Sequence, residues 1–214
     1  MGSVVSQRSA GESAQLRAYG GEDGGSRVAR RRTALIESAL DLLGAPEPAP
    51  VTVRGVCARA GLTPRYFYES FTGVDDLVGA AYDEVIAEFA ERGQVAFAST
   101  QDPRRRVARA VRAIVDVVDD DARKGRLVFS DAPVSPVVAA KRGDSLLLFV
   151  ALTADSAQEA LGLSPGPEVT AAAHFQVGGL SRLLASWIEG TVQIDKESLI
   201  GVCVGMLLPN SLAR

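Results

Sequence analysis

Residues 51–71, VTVRGVCARAGLTPRYFYESF, constrain this chain more than any other stretch, because they spell two short helices joined by one glycine turn. Thr52 is placed to cap the first helix, its hydroxyl accepting from an otherwise orphan backbone N–H. Val53, Val56, Cys57 and Ala60 follow at i, i+3, i+4 and i+7, a single apolar stripe. Gly61 ends that helix, since a sharp turn needs a residue that accepts the left-handed conformation. Leu62 is a lone apolar residue in the turn, positioned to plug the gap between two crossing helices. Thr63 offers a second cap, and Pro64 takes the first helical position, where its missing N–H costs nothing. Phe67 and Phe71 give the second helix a buried face, whereas Arg65, Tyr66 and Glu69 point the other way and Tyr68 lies on the flank. A short helix that keeps large groups in water suits the major groove of DNA: Arg65 facing guanine edges, Tyr66 a base or a thymine methyl, Tyr68 and Thr63 donating hydroxyls to phosphates. A helical hairpin with a merely solvated face has the same pattern, so the surroundings must decide.

Upstream, Arg27, Arg30, Arg31 and Arg32 precede a helical stripe of Leu35, Ile36, Ala39, Leu40 and Leu43. Between Arg27 and Phe71 there are seven arginines and four acids, a net of +3 in a chain whose overall charge is −3. Positive charge is thus gathered where phosphate attraction is useful and depleted elsewhere. A basic-headed helix, then TVRGVCARAGLTPRYFYESF, then a helix opening near Asp75-Asp76-Leu77 resembles the N-terminal domain of TetR-type transcriptional regulators. The resemblance rests on Thr52, Ala58-Arg59-Ala60-Gly61, Thr63, Phe67-Tyr68, Phe71 and Leu77. It returns faintly at Gly178-Gly179-Leu180, Leu183-Leu184, Trp187, Gly190, Asp195 and Leu199, which are similar to the last two helices of many members. It implies an all-α chain, with a three-helix DNA-binding head containing the helix–turn–helix and a helical body that binds an effector and dimerises. The DNA-contact set it implies, together with the residue chemistry, is Arg31, Thr52, Arg54, Thr63, Pro64, Arg65, Tyr66 and Tyr68.

Two positions depart from the family pattern. Val74 stands where a basic residue usually precedes the acids of the fourth helix, which removes a phosphate contact although the backbone N–H groups there can still meet an oxygen. Glu69-Ser70 replaces basic or ring-bearing residues, and Glu69 is expected to repel a phosphate or to accept from a cytosine amino group.

The chain of 214 residues, 47% of them hydrophobic, is long enough to bury a substantial core and too apolar for general disorder. Its longest apolar stretches, near Leu146–Leu152 and Leu199–Leu208, fall short of the roughly 18–20 residues of a membrane span. No apolar signal-peptide core opens the sequence, so a cytoplasmic protein is expected. Cys57 and Cys203 read as small buried hydrophobes, with a redox sensor as the alternative.

Residues 1–25, rich in Gly, Ser and Gln, read as a disordered tail; 26–72 form the expected DNA-binding domain and 73–214 the effector and dimerisation domain. Helices are expected over Val28–Leu43, from Asp75 onward, and over Asp102–Asp120, Ala122–Phe129, Arg142–Leu161, Pro167–Glu189 and Asp195–Leu208, with a loop holding Pro133 and Pro136. Gly178, Gly179, Gly201 and Gly205 let the last two helices approach others closely, as in a four-helix homodimer seam. A two-fold dimer is what one helix–turn–helix per chain needs to read a palindromic double-stranded operator.

Candidates for effector contact are Phe129, Phe149, Phe175, His174 and Arg109, each with a plainer reading as core or wet-face residue. Arg105, Arg109 and Arg112 share one face opposite Val107, Val111, Ile114 and Val118; if Arg109 or Arg112 turned inward, an acidic ligand would follow. No metal spacing surrounds the single histidine, no cofactor motif is present, and no triad or carboxylate pair supports an enzyme. The expected function is a dimeric repressor released from its operator by a small molecule. A DNA-binding regulator without an effector remains the alternative, as a constitutive repressor or an activator with a protein partner.

Overall fold

The computed structural model describes residues 24–130 and 135–208, and among these every regular element is a helix. The head comprises α1 (Gly24–Leu43), α2 (Val53–Ala60) and α3 (Pro64–Tyr68). The body comprises α4 (Val74–Ala98), α5 (Pro103–Asp120), α6 (Ala122–Phe129), α7 (Pro136–Leu161), α8 (Pro167–Ile188) and α9 (Lys196–Leu207). This is the all-α head-and-body architecture expected from the sequence.

Most boundaries follow from local chemistry. Asp102, Asp121 and Asp195 each accept a backbone N–H at the start of α5, α6 and α9. Two starts lie earlier than expected. α1 begins at Gly24 rather than Val28, so Gly24 and Gly25 leave the expected tail, while residues 1–23 lie outside the described residues. α7 begins at Pro136 rather than near Arg142, because Ser135 Oγ accepts from Val138 N at 3.2 Å and Pro136 supplies a ready-made first position. Pro136 therefore opens a helix instead of lying in a loop; Pro133 lies outside the described residues.

One continuous core runs through head and body. Leu35, Leu40, Val56, Phe67, Phe71 and Leu77 close the head, and the same cluster passes along α4 through Tyr82, Val85 and Phe89 to Val118 and Leu127. α4, with 25 residues and so about 37 Å long, is the only element whose buried face serves both ends of this cluster among the described residues. A second cluster, built on Val111, Val115, Leu184, Leu199 and Cys203, joins α5, α8 and α9. The α4–α7 contact carries a buried hydrogen bond, Tyr82 Oη to Ser145 Oγ at 2.8 Å. Ser145 itself donates to Arg142 O, so Tyr82→Phe removes a donor and orphans nothing. The expected loss is about 1 kcal/mol, read as a lower urea midpoint at constant slope; an unmoved midpoint would mean the pair adds nothing.

Head and body also meet through charge and backbone. Arg123 on α6 pairs with Asp41 and Glu37 on α1 and with Asp121 at its own helix start, which holds the guanidinium well above its ordinary range and the Asp121 carboxyl below its own. Gly44, just past α1, lies directly against the Arg123 backbone; a Cβ at Gly44 would overlap the Arg123 carbonyl oxygen. Arg126 Nη1 donates to Gly44 O at 3.2 Å on the same side.

Candidate nucleic-acid interface and body cavity

The helix–turn–helix is built as its sequence implies. Thr52 Oγ1 accepts from Gly55 N at 3.1 Å, and Gly61 sits at φ 65° with Leu62 N donating to Cys57 O at 2.9 Å. Phe67 is fully buried and Phe71 nearly so, their rings 5.8 Å apart, which turns the opposite face of α3 to solvent. Thr63 differs from expectation. It occupies the cap position of α3 without a side-chain capping bond, so its hydroxyl is not committed to the helix. Arg54, Thr52, Thr63, Pro64, Arg65 and Tyr68 are exposed, as a contact set must be, and the Arg65 side chain is 84% exposed.

Three residues do something the sequence did not convey. Arg31 lies with its guanidinium carbon 3.8 Å from the centre of the Tyr66 ring, and Tyr66 is half-buried. Arg31 Nη1 also donates to Glu69 Oε2 at 3.3 Å, and Arg65 Nε donates to Glu69 Oε1 at 3.2 Å. Glu69 is thus a bridge between two cations rather than an isolated anion. Beside it, Arg32 lies over Phe71 at 4.7 Å.

In the body a cavity of about 480 Å³ opens between α4, α5, α7, α8 and the end of α9. Phe89, Phe97, Val107, Phe149, Leu180 and Leu207 form much of its wall, with Gln94, Thr153 and Gln176 as polar groups and Asp155 and Glu159 as the ionisable ones. Of the effector candidates only Phe149 lines it, and Phe175 stands exposed on α8. Phe129 stands behind the wall, edge-on to Phe89 at 5.4 Å. His174 is exposed on α8 and faces away, because the neighbouring Ala173 takes the buried position. Arg109 is exposed and held by Ser99, through the carbonyl at 3.1 Å and the hydroxyl at 2.8 Å. Arg112 is exposed as well, in a bidentate pair with Glu197 that ties α5 to α9.

The arginine that does turn inward is Arg106, only 7% exposed. Its guanidinium donates to Thr100 O, Gln101 Oε1 and Glu159 Oε1 at 2.8–2.9 Å and lies over Phe97. The available signal was the run Arg104-Arg105-Arg106: at about 100° per residue three consecutive arginines spread over about 200° of the helix, so one of them lies near the edge of the dry face.

Cys57 and Cys203 are both buried, and burial pushes both thiols up, away from the reactive thiolate. The plain reading of two small hydrophobes describes their surroundings.

On α8 and α9, Gly178, Gly179, Gly201 and Gly205 face open space rather than another helix of the chain. Phe175, 82% exposed, Met206, 73% exposed, and Val202 stand on the same two helices.

No family profile and no curated protein matches the chain by sequence. Solved structures do match. The fatty acid degradation regulator FadR from Bacillus halodurans superposes with a TM-score of 0.71 at 14% identity, covering 84% of this chain and 95% of that one. A TetR-like transcriptional regulator from Rhodococcus sp. RHA1 gives 0.66 at 18% identity over 86% and 97% of the two chains. The regulator AibR, solved in complex with isovaleryl coenzyme A and operator DNA, gives 0.64 at 18% identity over 84% and 98%. The fold is that of the TetR-type regulators.

Within the head, the two departures from the pattern now have local causes. Val74, in place of a basic residue, packs into the shared core at the start of α4. The helix start is organised instead by Asp76, whose carboxylate accepts from Thr72 N at 2.8 Å and Thr72 Oγ1 at 3.0 Å and is held below its ordinary range by those bonds. Glu69 is absorbed by Arg31 and Arg65. No described helix is long and apolar enough to cross a membrane.

Proposed function

We propose that this chain is a homodimeric, cytoplasmic DNA-binding repressor of the TetR family, released from a palindromic operator by a small molecule held in the body cavity. The division is a head at 26–72 and an effector and dimerisation domain at 73–214. The observation that carries the reading is the exposed face of α3, with Arg65 at its centre, on a head whose core is continuous along α4 with the wall of a 480 Å³ cavity. In the dimer two such faces, about 34–36 Å apart, meet successive major grooves.

Arg65 and Tyr68 provide base and outer contacts, Thr52, Arg54, Thr63 and Pro64 line the approach, and Arg31 and Tyr66 support from behind. AibR, which shares the fold, binds both an acyl-coenzyme A and operator DNA, which supports an effector-responsive role for this chain. Release follows if the effector binds better to the form in which the two heads are wrongly spaced. Retardation of DNA from the chain's own upstream region tests the reading: a shift that weakens steeply as salt rises supports it, and no shift at low salt overturns it.

The effector side has its own test. Ala110 lines the cavity, and Ala110→Trp fills it without touching the head. The variant should bind the neutral apolar dye Nile red at least tenfold more weakly, a loss of about 1.4 kcal/mol. Unaltered dye binding would place the ligand elsewhere.

A further inference from the structure

Glu69 is out of place on a surface meant for a polyanion, and its geometry assigns it a purpose. Arg65 has one guanidinium and three nitrogens with which to donate. The Nε edge is taken, because it donates to Glu69 Oε1 at 3.2 Å across one turn of the helix. What remains toward solvent is the end of the fork, Nη1 and Nη2, on a side chain that is 84% exposed. An isolated pair at i, i+4 holds an exposed arginine only loosely. Here the carboxylate is itself held from a second helix: Oε2 accepts from Arg31 Nη1 at 3.3 Å, and Arg31 is pinned flat on Tyr66 at 3.8 Å. Side-chain exposure grades outward along this chain of contacts, 25% for Arg31, 37% for Glu69 and 84% for Arg65. The deepest member is the most fixed, and the outermost is the one left to meet DNA.

Resting on the reading of α3 as a recognition helix, we infer that Arg65 reads a guanine in each operator half-site end-on, through Nη1 and Nη2 to guanine O6 and N7, and that Glu69 is its positioning residue. The chemistry matches: guanine presents two acceptors side by side in the major groove, and two diverging N–H donors of arginine span them. Both Glu69 oxygens already accept from guanidinium groups, which assigns Glu69 to supporting the reader. The three charged groups together carry a net single positive charge, which removes the expected repulsion toward phosphate. Tyr66, covered by Arg31, is part of the support.

The test is selection from random duplex DNA with the full-length chain, followed by affinity measurements on the enriched site. The wild type should enrich a palindrome with one guanine per half-site on which binding depends, and 7-deazaguanine there, which lacks the N7 acceptor, should weaken binding roughly tenfold, the low end of one bidentate base contact. Arg65→Ala should lose preference at that position. Glu69→Ala should keep its melting temperature and bind unrelated DNA no more weakly, yet lose roughly tenfold of the guanine-over-adenine discrimination; Glu69→Gln, which retains an acceptor for Nε, should recover part of it. If Glu69→Ala binds all sequences more tightly by one common factor, or keeps the full guanine preference, the inference is wrong and Glu69 is only a charge near the backbone. If the wild type enriches a site that contains no such guanine, the inference again fails while DNA reading stands. If it enriches nothing, both fall.

Discussion

Glutamate at positions 175 and 206 is expected to leave the monomer folded, to split the proposed dimer, and to take operator binding with it. Phe175 and Met206 are the two most exposed large apolar side chains in the described structure, so changing them removes little from the core of one chain. They stand on α8 and α9, where Gly178, Gly179, Gly201 and Gly205 offer a close approach that no helix of the same chain uses. Apolar surface of this kind, displayed beside bare backbone, is what a partner helix pair covers. Two carboxylates per chain placed in such a seam oppose it by desolvation and by repulsion. A monomer engages one half-site only, and the gain from linking two binding events, on the order of 10²–10⁴, is lost. Sedimentation should report the mass of one chain, and retardation of the operator should need that much more protein. A double variant that remains dimeric would move the seam to another face.

The second large effect is internal. Phe67→Ala should destabilise the chain by about 3–5 kcal/mol, the usual range for deleting a buried aromatic ring. Phe67 is wholly buried where α1, α2 and α3 meet, with Tyr68 edge-on at 5.2 Å and Phe71 at 5.8 Å. α3 is five residues long and cannot stand as an isolated helix; this ring holds it to the head. For a chain of this size the melting midpoint should fall by about 6–20 °C. Operator binding should fail before the body melts, as the head is the first part to loosen. A shift of a degree or two would mean that Phe71 and Leu77 hold the head unaided.

The sequence was most legible where a structure is made by neighbours in the chain. The Thr52 cap, the left-handed Gly61, Pro64 opening α3 and the limits of α6 all depend on a few adjacent residues, and the structure has them as read. It was least legible where a side chain chooses a partner far along the chain. Glu69 looks like misplaced charge until Arg31, thirty-eight residues earlier, is seen beside it. Periodicity separated a wet from a dry face of α5, yet the arginine that turned in was Arg106, because its partner Glu159 is on α7. His174 stood out only as the single histidine, and rarity carries no direction; the adjacent alanine took the buried place. The start of α7 was misjudged for a simpler reason, as Pro136 reads equally as loop residue or helix opener until Ser135 is seen capping behind it.

The contact of Gly44 with the backbone of Arg123 bears on how motion passes between body and head. Side chains meeting side chains can absorb a displacement by changing rotamer, so part of any push is lost as slack. Two backbones in contact have no rotamers to spend, and van der Waals repulsion rises steeply within a fraction of an ångström. With Arg123 gripping Asp41 and Glu37, and Arg126 gripping the Gly44 carbonyl, the same joint resists separation. A shift of α6 therefore bears directly on the backbone at the end of α1, with few side-chain rotamers between them.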